Sequence, residues 1–230
     1  YLGWIFQGPL WSKGGAYSDE WELKFTDPKT IEAVEWLKKV TDEKEGYSYV
    51  GNDMAMEFST GRAAATVLST GDLSGITENA KFDLGTAFLP NPNGDGACPT
   101  GGAGLAIPAG IDKNRQIAAI KFIDFVTNDQ NTSYWSQNVG YMPVRKTAME
   151  LDEQKKFMEE NPNFKTAIEQ LPDTRPQDYA RVFLPGADQE IGGAFEKIVT
   201  NRDDVKKTLT DLEKTLQSIY DNQVKPVIKK

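Results

Sequence analysis

The chain has 230 residues, of which 39% are hydrophobic and 26% charged, and it carries a formal net charge of −8. That is the length and composition of a globular protein with one large domain or two small ones. The negative charge, with Lys and Arg scattered and no basic stripe, excludes nucleic acid as a partner, and no apolar run reaches the roughly 20 residues a membrane-spanning helix needs.

Residues 1–25 are rich in aromatics and glycine, with Trp4, Trp11, Tyr17 and Trp21; they fit no clean period and read as loops with a short helix. A helix follows from about Pro28 to Glu43: Asp27 is placed to cap it, proline suits its first turn, and Ile31, Val34, Leu37 and Val40 form one face. Next come a short helix over 53–59, a turn at Gly61 and a buried strand over Ala63 to Leu68 that breaks at "STGD". "KFDLGTAFLP" reads as a second strand closed by Pro90, "NPNGDGACPTGG" as a turn-rich connector, and "GLAIPAG" as a third strand. The helix from about Lys113 to Thr127 gathers Ile117, Ile120, Ile123 and Phe125 for burial. Beyond Thr147 the chain is mostly helical, with stops at Pro162 and Pro172, a helix within "ADQEIGGAFEKIVTN", and a last helix over 203–224. There Val205, Leu209, Leu212, Leu216 and Ile219 form a seam suited to packing on the rest of the chain. Strands alternating with helices make the fold class α/β.

Histidine is absent, which removes Ser-His-Asp and Cys-His nucleophiles, His-ligated zinc and imidazole acid-base work. The single cysteine, Cys98, has no second thiol and reads as passive. "NPNGDG" from Asn91 to Gly96 has the oxygen and glycine order of a calcium loop, but Gly102 stands where the bidentate Glu belongs, so it reads as a turn. "GGAG" at 101–104 lacks the third glycine of a dinucleotide fingerprint. No metal and no cofactor are expected. A two-carboxylate glycosidase would need a facing acid pair about 5 to 9.5 Å apart, and no acids stand convincingly at strand ends.

More informative are the polar groups where elements end: "LSTGD", "TGG", Tyr141 in "GYMP" and Arg181 in "DYARVFLPG". Hydroxyls, glycine N–H groups, a phenol and a guanidinium are the groups that bind phosphate or sugar oxygens.

"DPKTIEAVEWLKKV", "FSTGRAAATVLSTGDLSGI", "FDLGTAFLPNPNG", "GGAGLAIPAG" and "AAIKFIDFVTNDQNTSYWSQNVGYMPVRKTA", in this order, resemble the C-terminal part of a solute-binding protein of an ATP-binding-cassette importer. The group in question is the large family 1, which takes up sugars and glycerol phosphates. "YSYVGNDM", "LSTGDLSGI", "TGGAGL" and "YAR" are most similar to its glycerol 3-phosphate binders.

The resemblance implies a periplasmic-binding-protein-like (type II) lobe, with a mixed sheet flanked by helices, C-terminal helices packed outside and the N-terminal lobe largely missing. Residues 1–96 would be the first part of the C-terminal lobe, 97–140 a segment of the N-terminal lobe, and 141–230 the second part of the C-terminal lobe. The opening "YLGWIFQG", with neither an initiating Met nor signal-peptide regions, agrees with a processed or excised piece. Ligand contacts carried over are Ser69, Gly102, Tyr141 and Arg181. Gly140 and Pro143 would fix a hinge strand that aims Tyr141 into the cleft.

The implied function is non-enzymatic: capture of glycerol 3-phosphate or a related glycerophosphodiester outside the cytoplasm and delivery to the permease. Contact with the membrane would come only through the permease or a lipid anchor. The alternative is a sugar or oligosaccharide ligand, for which Trp4, Trp11, Trp21 and Trp135 could stack on sugar rings. Without the other lobe, the apolar face of the 113–127 helix must find another surface or remain exposed.

Overall fold

The computed structural model describes residues 2–51, 53–90 and 98–228. The calcium-like turn Asn91–Gly96 therefore lies outside the described residues. In chain order the helices are α1 (Leu2–Ile5), α2 (Gln7–Ser12), α3 (Pro28–Val40), α4 (Met54–Ser59), α5 (Leu73–Asn79) and α6 (Lys113–Val126). They continue with α7 (Asp129–Val139), α8 (Asp152–Glu160), α9 (Thr166–Glu169), α10 (Tyr179–Val182), α11 (Ala187–Val199) and α12 (Val205–Ile219). Four two-residue strands, β1 (Ser18–Asp19), β2 (Glu22–Leu23), β3 (Cys98–Pro99) and β4 (Thr174–Arg175), are the paired extended segments among the described residues.

The chain divides into two compact units, the first comprising 1–52, 89–100 and 172–230, the second 53–88 and 101–171.

The first unit is built around α11 and α12. On α11, Ile191, Ala194, Phe195 and Ile198 follow the three-and-four spacing of one helix face, and all are buried. On α12, Val205, Leu209, Leu212 and Leu216 are buried in the same core, as the seam predicts. Phe6 meets Phe195 edge-on at 5.3 Å and Tyr17 stacks on Phe25 at 5.1 Å, so the aromatic N-terminal stretch is core. α3 begins at Pro28 and buries Val34, Leu37 and Val40. Asp27 holds the N-cap position without a side-chain capping bond, and instead lies 3.9 Å from Lys24 Nζ.

In the second unit, Asp53 caps α4 by accepting from Met56 N at 3.0 Å, and Asn128 caps α7 through Asn131 N at 2.8 Å. Its small core joins Leu73, Met158 and Phe164, with Leu84, Phe157 and Ile168 against them. α6 forms almost as predicted and is well capped by Asp112, but buries none of its residues. Ile117, Ile120, Phe122 and Phe125 are 43%, 56%, 58% and 62% exposed.

The three predicted strands are a correction. Residues 63–68, 81–90 and 104–110 run without a ladder, and the mixed sheet is reduced to the antiparallel β1–β2 and parallel β3–β4 pairings. A strand is held by hydrogen bonds and side-chain pairs from a neighbour. Among the described residues none of these segments pairs with a neighbouring strand, and Val67, Phe88 and Leu105 are left exposed.

Candidate functional site

In the second unit, the chain leaving 63–68 turns at Ser69 into one 3₁₀ turn, Thr70–Asp72, and then into α5. Ser69 is extended, and its Oγ accepts from Gly71 N at 3.1 Å. Tyr141 follows Gly140, the left-handed C-cap of α7 with φ +111°. Two glycines let these segments meet. A Cβ on Gly71 would stand 2.7 Å from Tyr141 Cζ and 2.8 Å from its hydroxyl, and one on Gly140 would stand 2.3 Å from Thr70 O. Ser69 and Tyr141, both carried over from the family resemblance, are thus brought to one turn. Tyr141 is held by a helix cap and by packing on Gly71, well inside the second unit.

Asp72 closes the same turn. Within "STGD" the family resemblance places a ligand contact on Ser69 alone. The Asp72 Oδ2 atom is cut off from solvent and has no hydrogen-bond partner among the described residues. Burial raises the carboxyl pKa above its ordinary range; the backbone N–H of Ser69 pulls it down, and Asp53 adds to the rise.

Gly102 also belongs to the second unit. Its φ of +137° suits glycine alone, and nothing lies within 4 Å of where a Cβ would be, so no packing ties it to the Ser69–Tyr141 turn.

Arg181 belongs to the first unit, on α10. Its Nη1 donates to Gln177 Oε1 and its Nη2 to Asp188 Oδ1, both at 2.5 Å. Nε is buried without an acceptor among the described residues, and the side chain is 15% exposed. The guanidinium therefore has two of its three nitrogens engaged, while the buried Nε–H is unmet. Gln177 is the fixed point: it also accepts from Gln7 Nε2 at 3.1 Å and donates to Thr100 O at 2.7 Å. Next to it, buried Asp178 accepts from Tyr17 N at 2.7 Å and from Trp11 Nε1 at 3.2 Å. None of these partners was visible in the sequence, because Gln7, Trp11 and Tyr17 lie more than 150 positions from them along the chain.

The tryptophans proposed for sugar stacking are mostly spoken for. Trp11 is buried under the Arg175 guanidinium, 3.9 Å from its ring, and Trp4 Nε1 donates to Thr100 O. Trp21 packs among Tyr179, Phe183 and Tyr220, while Trp135 is 59% exposed. Cys98 is half-buried and its thiol pKa is raised, first by burial. Among the described residues no group of three or more His, Cys, Asp or Glu could hold a metal ion. A groove of about 220 Å³ between α11 and α12 contains none of the predicted site residues.

Residues 3–166 match the family described as bacterial extracellular solute-binding protein. The chain belongs to this family. The solute-binding protein is 32% identical over 165 residues to the sn-glycerol-3-phosphate-binding periplasmic protein UgpB of Escherichia coli (strain K12), covering 69% of this chain and 37% of that protein. Its structure matches UgpB from Mycobacterium tuberculosis in complex with glycerophosphocholine with a TM-score of 0.93 and 50% identity, over 97% of this chain and 56% of that one. Maltose-bound MalE3 of T. maritima matches with a TM-score of 0.74 at 19% identity, over 95% of this chain and 57% of that one, a likeness of fold alone. These neighbours give the solute-binding protein the type II periplasmic-binding-protein-like fold. It spans about half the length of the solved relatives and less of the curated one.

Proposed function

We propose that this solute-binding protein captures glycerol 3-phosphate or a related glycerophosphodiester and delivers it to the membrane permease of an ATP-binding-cassette importer. The observation that carries this reading is the 50% identity, at a TM-score of 0.93, with a protein crystallised with glycerophosphocholine. Ser69, Gly102, Tyr141 and Arg181 are the proposed ligand contacts. The unmet Nε of Arg181 supports its part, since a buried guanidinium donor without an acceptor is costly until an anion meets it. The place of work would be outside the cytoplasm, with the membrane reached through the permease or a lipid anchor.

Segment 97–140 is assigned, on the same reading, to the family's other lobe. In support, α6 lies within that segment and leaves its apolar side chains exposed. Hydrogen exchange of α6 in the 230-residue chain and in the full-length protein tests this assignment: protection gained in the full-length protein is expected, and equal exchange would contradict it.

Calorimetric titration of the full-length protein with glycerol 3-phosphate, glycerophosphocholine and maltose tests the ligand class. Binding of either phosphate ester with no response to maltose is expected. Tight maltose binding without either ester would replace this reading with the sugar-binding one.

A further inference from the structure

Tyr141 follows the left-handed cap at Gly140, and residues 141–143 lie in no helix or strand. Among the described residues they make no backbone-to-backbone hydrogen bond, and Pro143 has no N–H to offer. The direction of such a bridge is set at its two ends. At one end Gly140 N donates to Ser136 O at 2.9 Å, which closes α7. At the other, Val144 N donates to the hydroxyl of Thr132 at 3.0 Å, so the chain is fastened back onto the helix it has just left. Thr132 is buried on one face of α7 with Ser133 and Ser136. That helix is itself anchored: Ser133 Oγ and Gln137 Nε2 donate to Oε1 of the buried Gln154 on α8, at 2.7 and 2.9 Å.

We propose that Thr132 is a positioning residue for the ligand site: its hydroxyl fixes the far end of the 141–143 bridge and so aims the Tyr141 ring. The other ties of the returning chain lie further on, where Arg145 donates to Thr127 O and Thr147 to Asp129 Oδ1. Without the Thr132 hydroxyl the bridge would run unfastened from Gly140 to Arg145. A contact residue whose support is loosened keeps its place in the fold but loses the geometry that binding needs. Val144 is 73% exposed, so water can take up the N–H that loses its partner, and the loss falls on the direction of the bridge more than on folding. The inference rests on the reading of Tyr141 as a ligand contact.

The test uses the full-length protein, titrated calorimetrically with glycerol 3-phosphate, glycerophosphocholine and maltose. The compound that saturates the parent then serves as probe for Thr132→Val, Thr132→Ser, Tyr141→Phe and the double variant of Thr132→Val with Tyr141→Phe. Valine keeps the shape of threonine and removes the acceptor, whereas serine keeps the acceptor; Thr132→Ala stands in if valine is not accommodated. Thr132→Val is expected to weaken binding about fivefold, Thr132→Ser less than about twofold and Tyr141→Phe about tenfold. In the Tyr141→Phe background Thr132→Val should cost less than about twofold, because the hydroxyl it aims is gone. Losses that multiply in the double variant, no loss in Thr132→Val, or an equal loss in Thr132→Ser would overturn the positioning role alone. Unchanged affinity in Tyr141→Phe would remove Tyr141 from the site and this role with it. The ring-carbon resonances of Tyr141, assigned through their absence in Tyr141→Phe, read the same direction without ligand. Thr132→Val is expected to shift them and Thr132→Ser to leave them in place; resonances unmoved by Thr132→Val would overturn the proposal whatever the protein binds.

Discussion

The Arg181 guanidinium is held by Gln177 and Asp188, so its unmet Nε points in a fixed direction. If it meets a ligand phosphate, Arg181→Ala should weaken glycerol 3-phosphate binding by about 2 to 5 kcal/mol. Arg181→Lys should recover only part of that, since one ammonium cannot both replace the two held nitrogens and reach the anion. Calorimetry on both variants checks this, and unchanged affinity in the alanine variant would remove Arg181 from the site. Tyr17 offers a prediction about stability. Its buried hydroxyl donates to Gly3 O at 2.9 Å, and its pKa stands well above 10, first through burial and then through Asp178. A phenol whose folded pKa is raised contributes its full stability below the unfolded pKa of about 10 and loses it as pH rises towards the folded value. Melts should therefore show an alkaline decline beginning near pH 10 that Tyr17→Phe reduces. A Tyr17→Phe decline as steep as the parent's would contradict this. At this scale the sequence exposed what glycine and proline mark: Tyr141 stands between Gly140 and Met142-Pro143, and its neighbourhood could be read. The partners of Arg181 could not, because Asp188 is positioned by the left-handed turn at Gly186, with φ +76°, and Gln177 by side chains from distant helices.

Between elements, the junction of the Ser69–Asp72 turn with the end of α7 depends on two absent side chains. Gly140→Ala would force an L residue into a left-handed conformation and drive its Cβ to within 2.3 Å of Thr70 O. A loss of about 1 to 3 kcal/mol or more is expected in denaturant melts. Gly71→Ala meets only the far end of the Tyr141 side chain, at 2.7 Å, so the ring can move aside. Its expected effect is weaker ligand binding with a smaller loss of stability; the reverse pattern would show that Tyr141 has a packing role only. Helices were legible where an apolar period and a cap coincide, as in α3, α6 and α12. Strands were misread for a physical reason. "AAATVL" and "GLAIP" have strand-like composition, but composition cannot supply the neighbouring strand that closes the ladder. α5 was missed because "LSGITEN" is short, contains glycine and has only Leu73 and Ile76 to bury.

For the molecule as a whole, the exposed face of α6 is the feature that sequence and structure agree on. Four large apolar side chains on one helix form a patch that favours association. The 230-residue chain by itself should therefore self-associate at concentrations where Ile120→Lys and Phe125→Lys together make it monomeric. Analytical ultracentrifugation checks this, and a strictly monomeric parent would contradict it. The chain alone should also bind ligand feebly, because a binding protein that closes on its solute gains affinity from donors on both sides. Each missing hydrogen bond weakens binding by about 0.5 to 1.5 kcal/mol. The central claim, that this solute-binding protein takes a hydroxyl-bearing phosphate ester, is tested most directly by calorimetric titration of the full-length protein with glycerol 3-phosphate and glycerophosphocholine, beside maltose. The account predicts saturable binding of at least one phosphate ester and none of maltose; saturable binding of maltose with no heat from either ester would contradict it.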